Sequence, residues 1–285
     1  MAGTESLDME SRAGFSPLVY LDNMVISDIA TGRLLGKDVA ARCGADEVRF
    51  TFSVYSMIEA TNGDQPERVF ARAKVIDQLA SAWIPDFLWQ RDLAFIRFLT
   101  SDSDALLVSP VFNSLSELLR SDPRTSGPQV PIDFSVTHYA QSKCSGRQDF
   151  SFLDHSFSVL EQVRRELRGV QELPSEVEIN LHIARSVLLR YQIPVQDSGS
   201  LILKVATGNE ALLKLSPAFD IEMLMSKFRT KDKLKNQVSN SVDFFHLCTA
   251  LPVCDFFVTT DADVIRAASF VRSSTQHKVA TVIEC

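Results

Sequence analysis

The sequence predicts an α/β fold, a layered core around a parallel sheet, built from both ends of the chain and carrying a large, mainly helical insertion. Three observations predict it. Short apolar runs that suit buried strands occur at 18–21, 47–52, 256–259 and 278–283. Helical periodicity lies between them, so the C-terminal part reads strand, helix, strand in quick succession. The middle of the chain, 64–235, shows helical spacing over 66–82, 86–99, 154–169 and 175–191.

Taken in order, residues 1–15 form a polar, acidic tail with no structural signal. The first part of the core spans 16–63. It opens with Leu18-Val19-Tyr20-Leu21, an apolar run that stops at Asp22-Asn23 and so leaves a carboxylate at the strand's C-terminal end. The alternating EVRFTF follows, and then a helix from Ser53 that ends at Asn62-Gly63. Within 64–235, Leu160, Val163, Leu167 and Val170 form one apolar stripe, while 121–131 and 142–149 read as loops. The second part of the core spans 236–285. A helix over 240–251 takes Asn240 or Ser241 as its N-cap and ends before Pro252. The strand FFVT, a helix starting at Asp261-Ala262-Asp263 and the strand KVATVI complete the chain.

Composition narrows the function. With 29 basic against 36 acidic side chains the net charge is −7, so any nucleic acid must be held by a local basic patch or by metal ions. Five scattered cysteines, none in C-x-x-C spacing, argue against a disulfide framework or a finger-type zinc site. No secretory signal and no apolar run of the ~20 residues needed to span a bilayer is present. A reduced, cytoplasmic protein without membrane contact is expected. There is no GxxxxGK[ST] or GxGxxG to suggest a nucleotide-binding protein.

Four acids fall where a parallel sheet exposes its ligand-binding edge. Asp22 ends the first strand, Glu59 lies in the helix after the second, Asp243 lies in the late helix, and Asp261 follows FFVTT. Carboxylates converging there repel one another unless cations compensate, and hard oxygen donors suit Mg²⁺ or Mn²⁺. Each acid also has a plainer reading. Asp243 and Asp261 can cap helices for about 0.5–1 kcal/mol, Asp22-Asn23 can be a turn, and Glu59 can be a solvated helix residue. His246, three residues after Asp243, can share its helix face and bond a carboxylate or phosphate, or it can be a core histidine on a backbone carbonyl. Trp83 and Trp89, like Cys248 and Cys254, fit the core better than a binding role. Lys227, Arg229, Lys231, Lys233 and Lys235 form a basic run before the late helix, either a solvated face or a hold on a nucleic-acid backbone.

LVYLDNMVIS, FTFSVYSMIEAT and NSVDFFHLCTALPVCDFFVTTDADVI together resemble the successive elements of PIN domains. The likeness extends to bacterial PIN-like proteins whose helix reads D-x-x-H and whose next turn ends in Cys-Asp, here Asp243, His246, Cys254 and Asp255. The insertion departs from the compact stand-alone members. The resemblance implies a metal-dependent nuclease, most simply an endoribonuclease. Asp22, Glu59, Asp243 and Asp261 would be its catalytic acids and would hold Mg²⁺ or Mn²⁺, with Asp263 as a further ligand. Thr259 and His246 would support them, Thr259 by orienting the Asp261 carboxylate, and Lys231, Lys233 and Lys235 would hold nucleic acid. RNA, or else DNA, is the implied partner, with a protein inhibitor as another. The alternative is an inert scaffold of the same fold that binds a nucleic acid or protein without cutting.

Overall fold

A computed structural model describes residues 16–63, 65–100, 110–122, 130–146, 176–190, 204, 207–231 and 238–285. The expected tail 1–15, the expected helix 154–169 with its stripe, and Lys233 and Lys235 lie outside the described residues, as does the side chain of Lys231.

The chain folds as α/β. Among the described residues the strands are β1 (Leu18–Leu21), β2 (Arg49–Phe52), β3 (Ala80–Trp83), β4 (Phe256–Thr259) and β5 (Thr281–Glu284). They form one sheet in the order β3-β2-β1-β4-β5, every pair parallel. Parallel neighbours need crossover connections, and helices supply them. Between β1 and β2 run α1 (Asn23–Ala30) and α2 (Gly36–Arg42), and between β2 and β3 run α3 (Val54–Ala60) and α4 (Pro66–Leu79). Between β3 and β4 lie α5 (Phe87–Thr100), α6 (Leu115–Ser121), α7 (Val136–Cys144), α8 (Glu176–Arg190), α9 (Asn209–Leu215), α10 (Pro217–Lys231) and α11 (Val238–Ala250). The last crossover is α12 (Ala262–Ser274).

Strand alternation produces the layers. Val19, Leu21, Phe50, Phe52 and Val258 point to one face and pack with α1, α4, α6 and α7 through residues such as Ile26, Ile76, Leu118 and Tyr139. Leu18, Tyr20, Ala82 and Phe257 point to the other and meet α5, α10, α11 and α12 through Leu88, Phe228, Phe244 and Val271. A third cluster, around Phe95, Val187, Leu212 and Phe219, joins α5, α8, α9 and α10 away from the sheet. Trp83 and Trp89 are both core residues.

Two expectations are corrected. The helix expected over 66–82 ends at Leu79, and Ala80–Trp83 leaves it to pair with β2. The sheet therefore takes an edge strand from within 64–235, so position 63 does not divide sheet from insertion. Helix α7 continues to Cys144 through residues read as the start of a loop. The expected stop after α3 holds: Gly63 has φ of 140°, open to glycine and strained for other residues.

The order matters for function. Strands β1, β2 and β3 step outward one way, and β4 then returns to the other side of β1. The sheet's topological switch point lies between β1 and β4, and the crevice beyond their C-terminal ends is where open α/β sheets bind ligands.

Candidate functional site

Asp22 and Thr259 stand at that switch point. The β1–β4 ladder runs to its end there, with the Asp22 N–H donating to the Val258 carbonyl at 3.0 Å. Asp22 starts α1 through its backbone, but its side chain makes no capping bond. Instead the Thr259 hydroxyl donates to Asp22 Oδ2 at 2.6 Å, both residues buried. Thr259 also accepts from the Asp261 N–H at 3.0 Å. The expected partner of this hydroxyl is corrected: it orients the Asp22 carboxylate and reaches Asp261 only through the backbone.

Asp261 does serve as a helix cap, its Oδ1 accepting from the N–H groups of Asp263 at 2.7 Å and Val264 at 3.3 Å. The Asp263 carboxylate is exposed and paired with Arg266 at 3.1 Å, so it faces solvent and a cation of its own. Asp243 is not a helix cap. Its helix begins at Val238, before the expected start, which places Asp243 in the second turn. It is half-buried, and no hydrogen bond or ion pair among the described residues holds its carboxylate.

Glu59 lies near the end of α3, where Arg72 ties down the last helical carbonyl and one just beyond it: Nε donates to Ala60 O at 3.0 Å and Nη2 to Asn62 O at 2.7 Å. Its Oε2 is 2.8 Å from His246 Nε2. His246 thus takes a carboxylate partner and not a backbone carbonyl. Its Nδ1 is 2.6 Å from the Tyr20 hydroxyl, which also bonds Ser53 at 2.8 Å and receives the Ser56 hydroxyl at 2.9 Å. Sequence reasoning missed Tyr20, Ser53, Ser56 and Arg72. A signal existed for Tyr20, because a strand residue two before Asp22 shares its side of the sheet. None existed for Arg72.

Electrostatics set these acids apart. Burial pushes the Asp243 carboxyl up to about 7, and the charges of Asp22, Asp261 and Glu59 add to the rise while His246 opposes it. Burial also raises Asp22, against the Thr259 hydrogen bond and His246, with Glu59 adding to the rise. For His246 burial acts downward, but it is outweighed by Tyr20, by the bond and charge of Glu59 and by Asp22, so the ring stands well above its ordinary value. These groups feel one another across one edge of the sheet.

By chemistry the donors fit a hard divalent cation: carboxylate oxygens, and Asn23 Oδ1, which follows Asp22 in the chain and is buried without a hydrogen-bond partner. As they stand, no three His, Cys, Asp or Glu side chains among the described residues are grouped closely enough to hold a metal ion. Asp255, by contrast, belongs to the other end of the sheet, where its Oδ2 accepts from the Leu18 N–H at 2.9 Å. Among the described residues no helix is long and apolar enough to cross a membrane. Comparison with known proteins returns no matching family model, curated protein or solved structure.

Proposed function

We propose that this chain is a PIN-like metal-dependent nuclease, an endoribonuclease that hydrolyses phosphodiester bonds in RNA. One observation carries the reading: Asp22, Asp243, Asp261 and Glu59 act on one another electrostatically at the switch point, and among the described residues the cation that opposes the rise at Asp243 is His246, which is bonded to Glu59. A deficit of positive charge at a ligand-binding crevice is what a Mg²⁺ or Mn²⁺ ion and a phosphate would use together.

Asp22, Asp243 and Asp261 would hold the ion, with Glu59 joining from α3. When bound, such an ion supplies an activated water and offsets negative charge on the phosphate. The chain's own residues do the rest. Thr259 fixes the Asp22 carboxylate, and the α12 N-terminus fixes Asp261. His246 fixes Glu59 and offers a positive charge beside it. Asp263, paired with Arg266, is left as a solvent-facing residue of the rim and not a ligand. Lys231, Lys233 and Lys235 would hold the RNA backbone on the approach to α11. None of the five cysteines forms a disulfide, which suits a reducing cytoplasm.

An inert scaffold is the competing reading, favoured by the lack of a closed group of three ligands among the described residues. Labelled single-stranded RNA and DNA, incubated with purified protein in Mn²⁺ and in EDTA, separate the two. The nuclease cuts RNA in Mn²⁺ and not in EDTA, and both Asp22→Asn and Asp243→Asn abolish turnover while RNA binding persists. A wild type that cuts neither substrate, or cuts equally in EDTA, overturns the enzyme and leaves the scaffold.

A further inference from the structure

Behind the acids lies a polar cluster that the proposed chemistry does not use. Tyr20, Ser53 and Ser56 are wholly buried and His246 is 2% exposed, all within the apolar layer on one face of the sheet. Such a cluster is unfavourable unless every member is paired. Here the pairing converges on a single atom. The Tyr20 hydroxyl bonds Ser53 Oγ at 2.8 Å and His246 Nδ1 at 2.6 Å and accepts from Ser56 Oγ at 2.9 Å. One donation and two acceptances use the whole capacity of a phenol. The ring cannot swing away, because it stacks on Phe257 of the neighbouring strand with centroids 5.5 Å apart and planes 19° from parallel.

The three partners come from two helices. Ser53 caps α3 and Ser56 lies in its first turn, while His246 lies on α11. These are the helices that carry Glu59 and Asp243. With Nδ1 held by the phenol, the imidazole presents Nε2 to Glu59 at 2.8 Å.

We infer, resting on the metal-dependent reading above, that Tyr20 is a positioning residue: its hydroxyl locks α3, through Ser53 and Ser56, to α11, through His246, and so fixes Glu59 and Asp243 relative to one another for the approach of a divalent cation. Tyr20 itself touches neither ion nor substrate. Outer groups that orient metal ligands in this way change affinity when removed even though they make no bond to the ion.

The test uses the full chain with ¹⁵N-labelled histidine, comparing wild type, Tyr20→Phe and Ser56→Ala at one fixed pH. In the metal-free protein Tyr20→Phe shifts the His246 Nδ1 and Nε2 resonances, and Ser56→Ala leaves them close to wild type. In a Mn²⁺ titration Tyr20→Phe binds about 10-fold more weakly, and Ser56→Ala, which keeps the Ser53 and His246 bonds to the phenol, loses clearly less. A purely structural role would instead lower the melting temperature of both variants and leave the His246 resonances in place, which overturns the inference. Shifted resonances with undiminished Mn²⁺ affinity overturn it as well. If Tyr20→Phe does not fold, 3-fluorotyrosine at position 20 keeps ring and hydroxyl while changing acidity, and it must move the same two resonances. A wild type that binds no Mn²⁺ overturns the metal reading along with the spacing role. Unmoved resonances in a chain that binds Mn²⁺ overturn the inference alone.

Discussion

Two groups of acids in this molecule are treated in opposite ways. On the helical side, Asp92 and Glu222 join α5 to α10 around Arg91, whose Nη1 is 2.9 Å from Glu222 and whose Nη2 is 3.5 Å from Asp92. All three side chains are mostly or wholly buried, and a cation is built in between the acids. At the sheet edge, Asp22, Asp243, Asp261 and Glu59 bear on one another, His246 and Arg72 both act on Glu59, and Asp243, with His246 opposing the rise, is pushed up to about 7. The chain compensates acids with arginine where they only join helices. Where they face a crevice, the proposed reading has the positive charge come from solution.

Breaking the compensated group has the larger effect. Arg91→Met leaves two buried acids without their cation and costs about 3–5 kcal/mol of stability. Urea melts measure the loss, and the stabilisation gained on adding Mn²⁺ to the variant stays at the wild-type level. An unchanged midpoint would mean the two groups are not distinct in kind.

On the proposed reading the sheet-edge group responds to metal instead. Wild type gains about 2.7 kcal/mol at a free Mn²⁺ concentration 100 times its dissociation constant, and Asp243→Asn gains none. The pH dependence follows from the same charges. Asp243 and Asp22 have folded values above their ordinary ones, so the folded state binds more protons than the unfolded state above about pH 4. Their contribution to stability is full below the unfolded value and is lost as pH rises through about 7 for Asp243. His246, also raised, acts in the same direction. Metal-free wild type therefore melts at lower temperature at pH 8 than at pH 5. Asp243→Asn flattens that slope and exceeds wild type at pH 8, and a steeper slope in the variant would contradict the assignment.

The smallest expected effect is at Thr259. Thr259→Val keeps the shape but removes the hydrogen bond to Asp22 and the acceptor for the Asp261 N–H, costing about 1–3 kcal/mol. It also raises the Asp22 carboxyl further, so Mn²⁺ binding in calorimetry moves to higher pH. Loss of stability without that movement would make Thr259 a core residue only.

Much of this edge was legible because it depends on local pattern. LVYL and FFVT are short, apolar and followed by polar residues, and both strands have the expected bounds. Strand β3 was not legible: ASAW is poor in β-branched residues and continues the helical spacing of α4, and it becomes a strand by pairing with Phe50–Phe52. The partner of Thr259 was hidden for a related reason. Asp22 is 237 positions away, brought alongside by the β1–β4 register, which no local window contains. Asp243 and Asp261 looked alike as residues near helix starts, but only Asp261 is a cap, because α11 begins earlier than its Asn and Ser suggested.

The most direct measurement is calorimetry of Mn²⁺ binding to the wild type at pH 7 in two buffers of different ionisation enthalpy, which counts the protons released. With Asp243 titrating at about 7, binding should release about half a proton from it, and Asp243→Asn should remove both this release and most of the binding heat. Absence of binding heat in the wild type, or binding of equal strength and proton count in Asp243→Asn, would contradict a cation site built on these acids.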